Sequence, residues 1–266
     1  MSQPHLSTLS HTIRSLNRFE LKYLVPIRAA EAFRQALGPY LVCDDNGDSR
    51  GSYYVSSLYY DGPGLAFFWE RADGVKFRRK LRIRHYASSG PLMADTPVFV
   101  EIKQRLNRVT QKRRVSLPYR EALRLCNGRQ RPDDCHCEDT AQETAVLDEV
   151  ESMLWQYDLR PASIVRYSRQ ALIGTEHDIG LRVTFDTCLN YCADPLQLHD
   201  RASGLQLFPA DWVIVEIKVN ERMPYWLTEL VAAHNLNLVR VSKYCRSIEL
   251  AHNLATPAWR LALARV

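Results

Sequence analysis

The chain has 266 residues, of which 46% are hydrophobic and 24% charged, a composition typical of a soluble globular protein. It has no apolar run of about eighteen residues, which excludes a transmembrane helix, and its seven irregularly spaced cysteines exclude a secreted disulfide framework and favour a reducing cytoplasm. The 35 basic and 30 acidic residues leave a net charge of +5, so any polyanion site must come from a local concentration of charge.

The first part of the chain predicts a short leader followed by alternating strands and helices. Residues 1–17 are polar and lack the apolar core of a secretory signal, so we interpret them as a disordered leader before a cytoplasmic domain. Residues 18–25 alternate charged and apolar side chains and predict a strand. Next in chain order come a predicted helix at 27–37, a strand at 52–60 and a short strand at 65–71.

The most strongly charged stretch, residues 76–86, predicts a strand with one cationic face. Its five aligned cations are Lys76, Arg78, Lys80, Arg82 and Arg84. Like charges at neighbouring positions repel each other, so we expect an anion nearby to offset them. Residues 76–114 carry twelve Lys or Arg against two acidic residues, which favours a polyanion site in this part of the chain.

The remaining elements continue the same pattern. Strands are predicted at 97–105, 111–117, 162–173, 180–187 and 211–219, and helices at 118–126, 143–157, 222–234 and 247–254. Cys135, His136 and Cys137, with Cys126 upstream, suggest zinc, but their spacing is not that of a common zinc knuckle and free thiols are the alternative. No repeat or composition break divides the chain, so we predict a single domain at 18–254 and a tail at 255–266.

Several predicted strands pair an apolar face with a charged face. In an ordinary antiparallel sheet the charged face is the solvated one. Here the charged faces are rich in cations and hold a few acids, an arrangement suited to a divalent metal beside phosphates. These acids are Glu20, Glu101, Asp186 and Glu216. We therefore predict an α+β fold, an antiparallel barrel of about eight strands with its charged faces inward and its helices packed outside.

Five segments, in order, resemble the VTC domain, the polyphosphate polymerase domain of the vacuolar transporter chaperone family, which has bacterial relatives and belongs to the triphosphate tunnel metalloenzyme superfamily. The segments are Arg18-Phe-Glu-Leu-Lys22-Tyr, Lys80-Leu-Arg82-Ile-Arg84, Val100-Glu-Ile-Lys103, Ile214-Val-Glu216-Ile-Lys218 and Ser242-Lys243-Tyr. The resemblance covers about residues 18–250. It implies a tunnel fold and the transfer of the γ-phosphoryl group of ATP onto a polyphosphate chain, with Mn²⁺ or Mg²⁺ bound.

The resemblance also implies roles for individual residues. Phosphate contacts are implied for Lys22, Arg82, Arg84, Lys103, Arg114, Arg169, Arg182, Arg240 and Lys243. All of these except Arg114 and Arg240 are also expected to be catalytic. Glu216 is implied as the metal ligand, while Glu20 and Glu101 either bind metal or orient cations. Strand alternation places Arg169 on the side of Val165, and a β-bulge would reconcile this with an inward Arg169.

Other functions stay open at this point. Hydrolytic members of the superfamily carry Glu-x-Glu-x-Lys on the first strand, and Arg18 at the first of these positions favours a polymerase over an inorganic or nucleoside triphosphatase. A non-catalytic polyphosphate-binding module is the third hypothesis. The expected partners are ATP and polyphosphate or another triphosphate, with nucleic acid disfavoured. The yeast subunits also carry an SPX domain and membrane helices, so a membrane or protein partner is left open.

Overall fold

The computed structural model describes residues 18–87, 91–107, 109–132, 141–175, 178–199, 204–220 and 222–254. Within these ranges it has the predicted α+β architecture, an antiparallel sheet with helices between the strands. The predicted leader at 1–17, the predicted tail at 255–266 and three of the four residues suggested for zinc, Cys135 to Cys137, lie outside the described residues. The fourth, Cys126, is a buried free thiol whose pKa burial raises.

The strands are β1 Arg18–Pro26, β2 Leu41–Cys43, β3 Ser52–Asp61, β4 Phe77–Tyr86, β5 Pro97–Leu106, β6 Val109–Pro118, β7 Arg160–Gly174, β8 Arg182–Cys192, β9 Leu205–Gln206 and β10 Trp212–Asn220. The helices are α1 Ile27–Ala36, α2 Ala66–Ala72, α3 Tyr119–Gly128, α4 Ala141–Gln156, α5 Tyr225–Ala233 and α6 Lys243–Ala251. Among these described helices none is both long and apolar enough to cross a membrane.

The sheet is open, and the predicted closed barrel of about eight strands is wrong in this respect. Its order is β1-β10-β8-β7-β3-β4-β5-β6, with β2 beside β7 and β9 beside β8, and within the described ranges β1 and β6 do not pair. The free edge of β1 is occupied instead: Val239 N donates to Lys22 O at 2.8 Å, and Leu238 forms a β-bridge with Tyr23. This short segment takes hydrogen bonds that a closing strand would need.

The sheet is nevertheless strongly curved. Lys103 Nζ of β5 lies 3.1 Å from Glu20 Oε2 of β1, so side chains from opposite halves of the sheet meet across its open side. The charged faces of the strands therefore turn toward one another, as predicted, and enclose a space on the concave side.

The apolar faces of the strands are covered from outside by helices. Leu81, Ile83 and Val100 of β4 and β5 are fully buried in a cluster that includes residues of α3 and α4. A second cluster joins α1 and α5 to β1, β8 and β10. Helix α6 differs from the prediction, because it packs on the concave side with its Tyr244 against Tyr59.

One predicted strand is a helix. Residues 65–71 are rich in aromatic side chains, which favour strands, but α2 occupies 66–72. The carboxylate of Asp61 accepts hydrogen bonds from Phe67 N and Phe68 N, each at 2.9 Å, and so pairs amides that a helix leaves free in its first turn. A cap outside the predicted segment therefore decides its conformation.

Two element boundaries also differ from the prediction. Strand β8 continues through the expected loop as far as Cys192, past a positive φ at Cys188. Helix α6 begins at Lys243 rather than at residue 247, because Ser242 Oγ accepts a hydrogen bond from Cys245 N at 3.2 Å and caps the helix. This cap places Lys243 in the first turn of a helix that faces the concave side.

Candidate functional site

A cavity of about 760 Å³ lies on the concave side of the sheet. Among the described residues that line it are thirteen Lys or Arg and two carboxylates. The cations are Lys22, Arg71, Arg78, Arg79, Lys80, Arg82, Arg84, Lys103, Arg105, Arg169, Lys218, Arg240 and Lys243, and the carboxylates are Glu20 and Glu216. We call this space the cationic cavity. Such an excess of positive charge in a concave site attracts and holds anions.

Glu216 lies at the centre of one charged cluster in this cavity. Strand β10 runs between β1 and β8, and its register sets Glu216 opposite Lys22. Glu216 Oε1 lies 2.8 Å from Lys243 Nζ and 3.3 Å from Lys22 Nζ, and Oε2 lies 3.5 Å from Arg169 Nη2. Burial raises the pKa of Glu216, but Lys22, Lys243 and Arg169 outweigh burial and hold it well below the ordinary value. The carboxylate is therefore ionised and surrounded by cations.

Asp186 contacts two cations of the same cluster. It is fully buried, and its carboxylate lies 2.6 Å from Arg169 Nε and 2.5 Å from Lys243 Nζ. In the sheet register Arg169 of β7 pairs directly with Asp186 of β8. A buried carboxylate in contact with two cations fixes the direction of both side chains. Asp186 is thus a structural partner of Arg169 and Lys243.

A second cluster lies where β1 faces β5. Glu20 lies between Lys22 Nζ at 3.0 Å and Lys103 Nζ at 3.1 Å. Burial raises the pKa of Glu20, but Lys103 and Lys22 lower it well below its ordinary value. Lys218 stands opposite Glu20 in the register. Burial lowers the pKa of Lys218 to about 7, although Glu20 and Glu216 act in the other direction.

Arg82 and Arg84 of β4 form the third part of the cavity wall. Arg82 donates to Glu101 Oε2 from Nε at 2.8 Å and from Nη2 at 2.6 Å, and from Nη1 to Tyr59 Oη at 3.0 Å. Arg84 Nε donates to Ser57 Oγ at 3.0 Å. These bonds hold both guanidinium groups in place beside the cavity, which suits arginine for contacts to phosphate oxygens.

The structure brings most of the predicted site residues together. Lining the cationic cavity are Lys22, Arg82, Arg84, Lys103, Arg169, Arg240 and Lys243, with Glu20 and Glu216. The inward direction of Arg169 accompanies a register shift between Arg166 and Ser168, which is the kind of irregularity that the sequence called for. Their roles in phosphate binding, catalysis and metal binding stay predictions.

Three predicted residues are not among those that line the cavity. Arg182 pairs with Asp44 at 2.6 Å and donates to Tyr53 Oη at 2.8 Å. Arg114 is exposed on the edge strand β6, 4.3 Å from the centroid of the Phe99 ring. Glu101 is buried beneath Arg82. Alternation along a strand predicts the face of a side chain but not its distance from a cavity.

Sequence reasoning gave Lys80, Lys218 and Tyr59 no role in phosphate binding or catalysis. Lys80 Nζ donates to Ser242 Oγ at 2.6 Å, so this lysine lies inside the cavity rather than at its mouth. Lys218 lies on the same face of β10 as Glu216, and this alternation was the sequence signal that could have identified it as a site residue. Tyr59 lies on a strand with aromatic residues on both faces, where no sequence signal separated it from core residues.

The positions of the carboxylates decide whether the cavity could hold a divalent metal ion. The described residues contain no cluster of three metal-ligating side chains. Glu20 and Glu216 both contact Lys22, so two carboxylates converge on one point. Magnesium is commonly bound by one or two carboxylates together with substrate phosphates, so this pair fits a metal that arrives with a phosphate ligand. Glu101 does not fit, because it is 1% exposed and is not among the described residues that line the cavity.

An open antiparallel sheet that curves around a cation-lined cavity, with helices packed on its apolar face, defines the fold class of this chain. The VTC domain model matches residues 17–252, and the chain belongs to this family, as the sequence resemblance predicted. A comparison with curated protein sequences found no match.

Solved structures of similar shape include three enzymes or candidate enzymes. A candidate adenylate cyclase from Bacillus halodurans has 12% identity and a TM-score of 0.47, covering 85% of this chain and 95% of its own. A candidate adenylate cyclase from Vibrio parahaemolyticus has 13% identity and a TM-score of 0.42, and the match covers 88% of this chain and 99% of the other. A candidate adenylyl cyclase from Hippeastrum, described as having a dominant triphosphatase activity, has 15% identity and a TM-score of 0.49, with 91% and 98% covered.

Proposed function

We propose that this chain is a metal-dependent polyphosphate polymerase that transfers the γ-phosphoryl group of ATP onto a polyphosphate chain in the cationic cavity. The observation that supports this proposal is the excess of thirteen cations over two carboxylates in a cavity of about 760 Å³. Donor and acceptor are both polyanions in such a reaction, and they repel each other. A large cationic excess offsets that repulsion, whereas a reaction with neutral water as acceptor needs less of it.

The residues of the cavity would act by positioning and by charge. Phosphoryl transfer depends mainly on alignment of the two reacting groups and on neutralisation of the developing charge. Arg82 is fixed by Glu101, and Arg169 and Lys243 are fixed by Asp186, so these cations are held in place before substrate arrives. Little reorganisation is then needed during the reaction, which is how preorganised charge lowers a barrier.

A divalent metal, Mn²⁺ or Mg²⁺, would be held by Glu216 and Glu20 together with phosphate oxygens. Bound there, the ion neutralises charge on the transferring phosphate. Lys22 Nζ lies within 3.3 Å of both carboxylates and would contact phosphate oxygens held beside them.

The test is incubation of the purified chain with ATP and Mn²⁺ or Mg²⁺, followed by gel separation of the products. A ladder of phosphate chains is the expected result. Release of orthophosphate without chain growth would identify a triphosphatase, and tight polyphosphate binding without turnover would identify a binding module. Folded protein that neither extends chains nor releases phosphate would refute an enzymatic role.

A matched pair of variants tests the site itself. The double variant Arg82→Lys and Arg84→Lys keeps the charge beside Glu101 but removes the planar forks, so we expect at least a tenfold loss of chain synthesis. The control is Arg120→Lys, because Arg120 lies in α3 outside the cavity and its side chain is 57% exposed. Equal activity in both variants would show that the synthesis does not use the β4 arginines.

A further inference from the structure

Tyr59 is a residue of the cationic cavity that the proposed mechanism has not used. It lies in β3 directly opposite Arg82 of β4 in the sheet register. Its ring stacks on Tyr244 of α6, with centroids 5.0 Å apart and an angle of 28° between the planes. Arg82 Nη1 also donates a hydrogen bond to the hydroxyl oxygen of Tyr59. The phenol is therefore fixed in one orientation at the cavity wall.

The hydroxyl group of Tyr59 has an unused donor. Its oxygen accepts a hydrogen bond from Arg82 Nη1 at 3.0 Å, while its proton meets no acceptor in the part of the chain that the structure describes. The charges closest to it belong to Lys80, Arg82 and Arg84, and ammonium and guanidinium groups cannot accept hydrogen bonds. Tyr59 is only 5% exposed, so its proton has little access to water. An anion in the cavity would supply the missing acceptor.

We propose that Tyr59 is a phosphate-binding residue, whose hydroxyl group donates a hydrogen bond to an oxygen of the phosphate chain that Arg82 also contacts. This inference rests on the proposed function, because it takes a phosphate chain as the ligand. The neutral phenol adds one directed donor between charged groups. The ionised phenolate would lose that donor and would place a negative charge beside the ligand.

The charges around Tyr59 couple its ionisation to ligand binding. Burial raises the pKa of Tyr59, but Arg82, Arg84 and Lys80 outweigh burial and lower it to about 7. A bound phosphate adds negative charge next to the phenol and raises the pKa again. The elements packed around it carry further titratable or charged groups, among them Tyr244 and Lys243 of α6, Tyr167 and Arg169 of β7, and Glu101 and Lys103 of β5.

The direction of the pH effect follows from this coupling. The ligand prefers the neutral phenol, and the free protein loses that proton as the pH rises through about 7. Binding at higher pH must therefore return a proton to Tyr59, and the contribution of this residue to affinity declines by about tenfold at one pH unit above the pKa.

The test measures binding of tripolyphosphate to the full chain by calorimetry, without metal or ATP, from pH 6 to pH 8. Tyr59→Phe should bind about tenfold more weakly than wild type at pH 6, as expected for loss of a hydrogen bond to a charged acceptor. The ratio of the two affinities should approach one at pH 8. The ligand and Lys218 also titrate in this pH range, but they do so in both proteins. The ratio of the two affinities therefore reports on Tyr59 alone.

Tyr86→Phe is the matched control. Burial raises the pKa of Tyr86, but Arg84, Lys112 and Arg82 together outweigh burial and lower it, while Tyr86 is absent from the cavity lining. This variant should therefore bind tripolyphosphate as wild type does. A pH-dependent ratio in Tyr86→Phe that matches Tyr59→Phe would overturn the assignment to Tyr59.

A second readout follows the ionisation of Tyr59 directly. At pH 8 the wild-type protein should lose near-ultraviolet phenolate absorbance and take up protons when tripolyphosphate is added, and Tyr86→Phe should retain this change. Wild-type binding with neither the absorbance change nor a pH-dependent ratio would refute the role of Tyr59 and leave the proposed function standing. Failure of wild type to bind tripolyphosphate at all would refute both.

Discussion

Replacement of Glu101 by Gln would remove the buried charge that holds Arg82 in place. Glu101 is 1% exposed, and its Oε2 lies 2.8 and 2.6 Å from Arg82 Nε and Nη2, while Oε1 lies 3.2 Å from Lys112 Nζ. Removal of one partner from a buried ion pair costs about 3–5 kcal/mol. Because the amide keeps one acceptor, we expect a loss of about 3 kcal/mol in the free energy of unfolding, or about 6–12 °C in Tm.

Denaturant unfolding of wild type and Glu101→Gln measures this loss. The matched control is Glu149→Gln, because Glu149 pairs with Arg113 on the outer surface and both side chains are about one-third exposed. A surface ion pair contributes about 0–1 kcal/mol. Equal midpoints for the two variants would refute the view that Glu101 carries a buried charge network.

The pH dependence of the stability difference between wild type and Glu101→Gln is a second check. Burial raises the pKa of Glu101, but Arg82, Arg84 and Lys112 outweigh burial and hold the pKa far below its ordinary value. A lowered carboxyl pKa stabilises the fold above the pKa of the unfolded chain, about 4.3, and this contribution declines as the pH falls toward the folded-state pKa. The stability difference between wild type and Glu101→Gln should therefore be complete at pH 7 and shrink below about pH 4.

Other parts of the molecule can be perturbed one at a time. Lys103→Ala should reduce phosphate-chain binding about tenfold with little change in Tm, because this side chain is 36% exposed and pairs with Glu20 alone; a large fall in Tm would contradict this. Asp61→Ala should cost about 1–2 kcal/mol through loss of the α2 cap, measured by denaturant unfolding. Chelation of divalent metal should abolish chain synthesis but leave tripolyphosphate binding measurable by calorimetry, since thirteen cations line the cavity.

The strands were predictable because their alternation reflects the two sides of a curved sheet. In β4 and β10 the charged residues gather mainly on one face and the apolar residues mainly on the other, and both strands were found within one residue of the expected bounds. The convergence of Lys22 and Glu216 followed from the same alternation, whereas the inward direction of Arg169 was implied by the family resemblance and needs the register shift in β7.

The errors share one cause, which is contact with residues outside the predicted strand or helix itself. Helix α2 depends on Asp61, which precedes it and caps its first turn. The open sheet depends on Val239, which occupies the edge of β1 from a position more than two hundred residues away. Arg114 and Arg182 have the expected alternation but lie beside Phe99 and Asp44. Periodicity reports on neighbours within a strand and carries no information about such contacts.

The carboxylates of the cavity have a consequence for the response of the protein to salt. At least eight of the thirteen lining cations lie within 4.0 Å of an acidic side chain. A cation that stays paired with a carboxylate neutralises little charge on a bound phosphate chain, so fewer than thirteen cations release the counterions condensed on that chain. The logarithm of the affinity should therefore fall with the logarithm of the salt concentration at a slope well below thirteen. The protein would then hold its ligand at ionic strengths that strip polyanions from an ordinary basic surface.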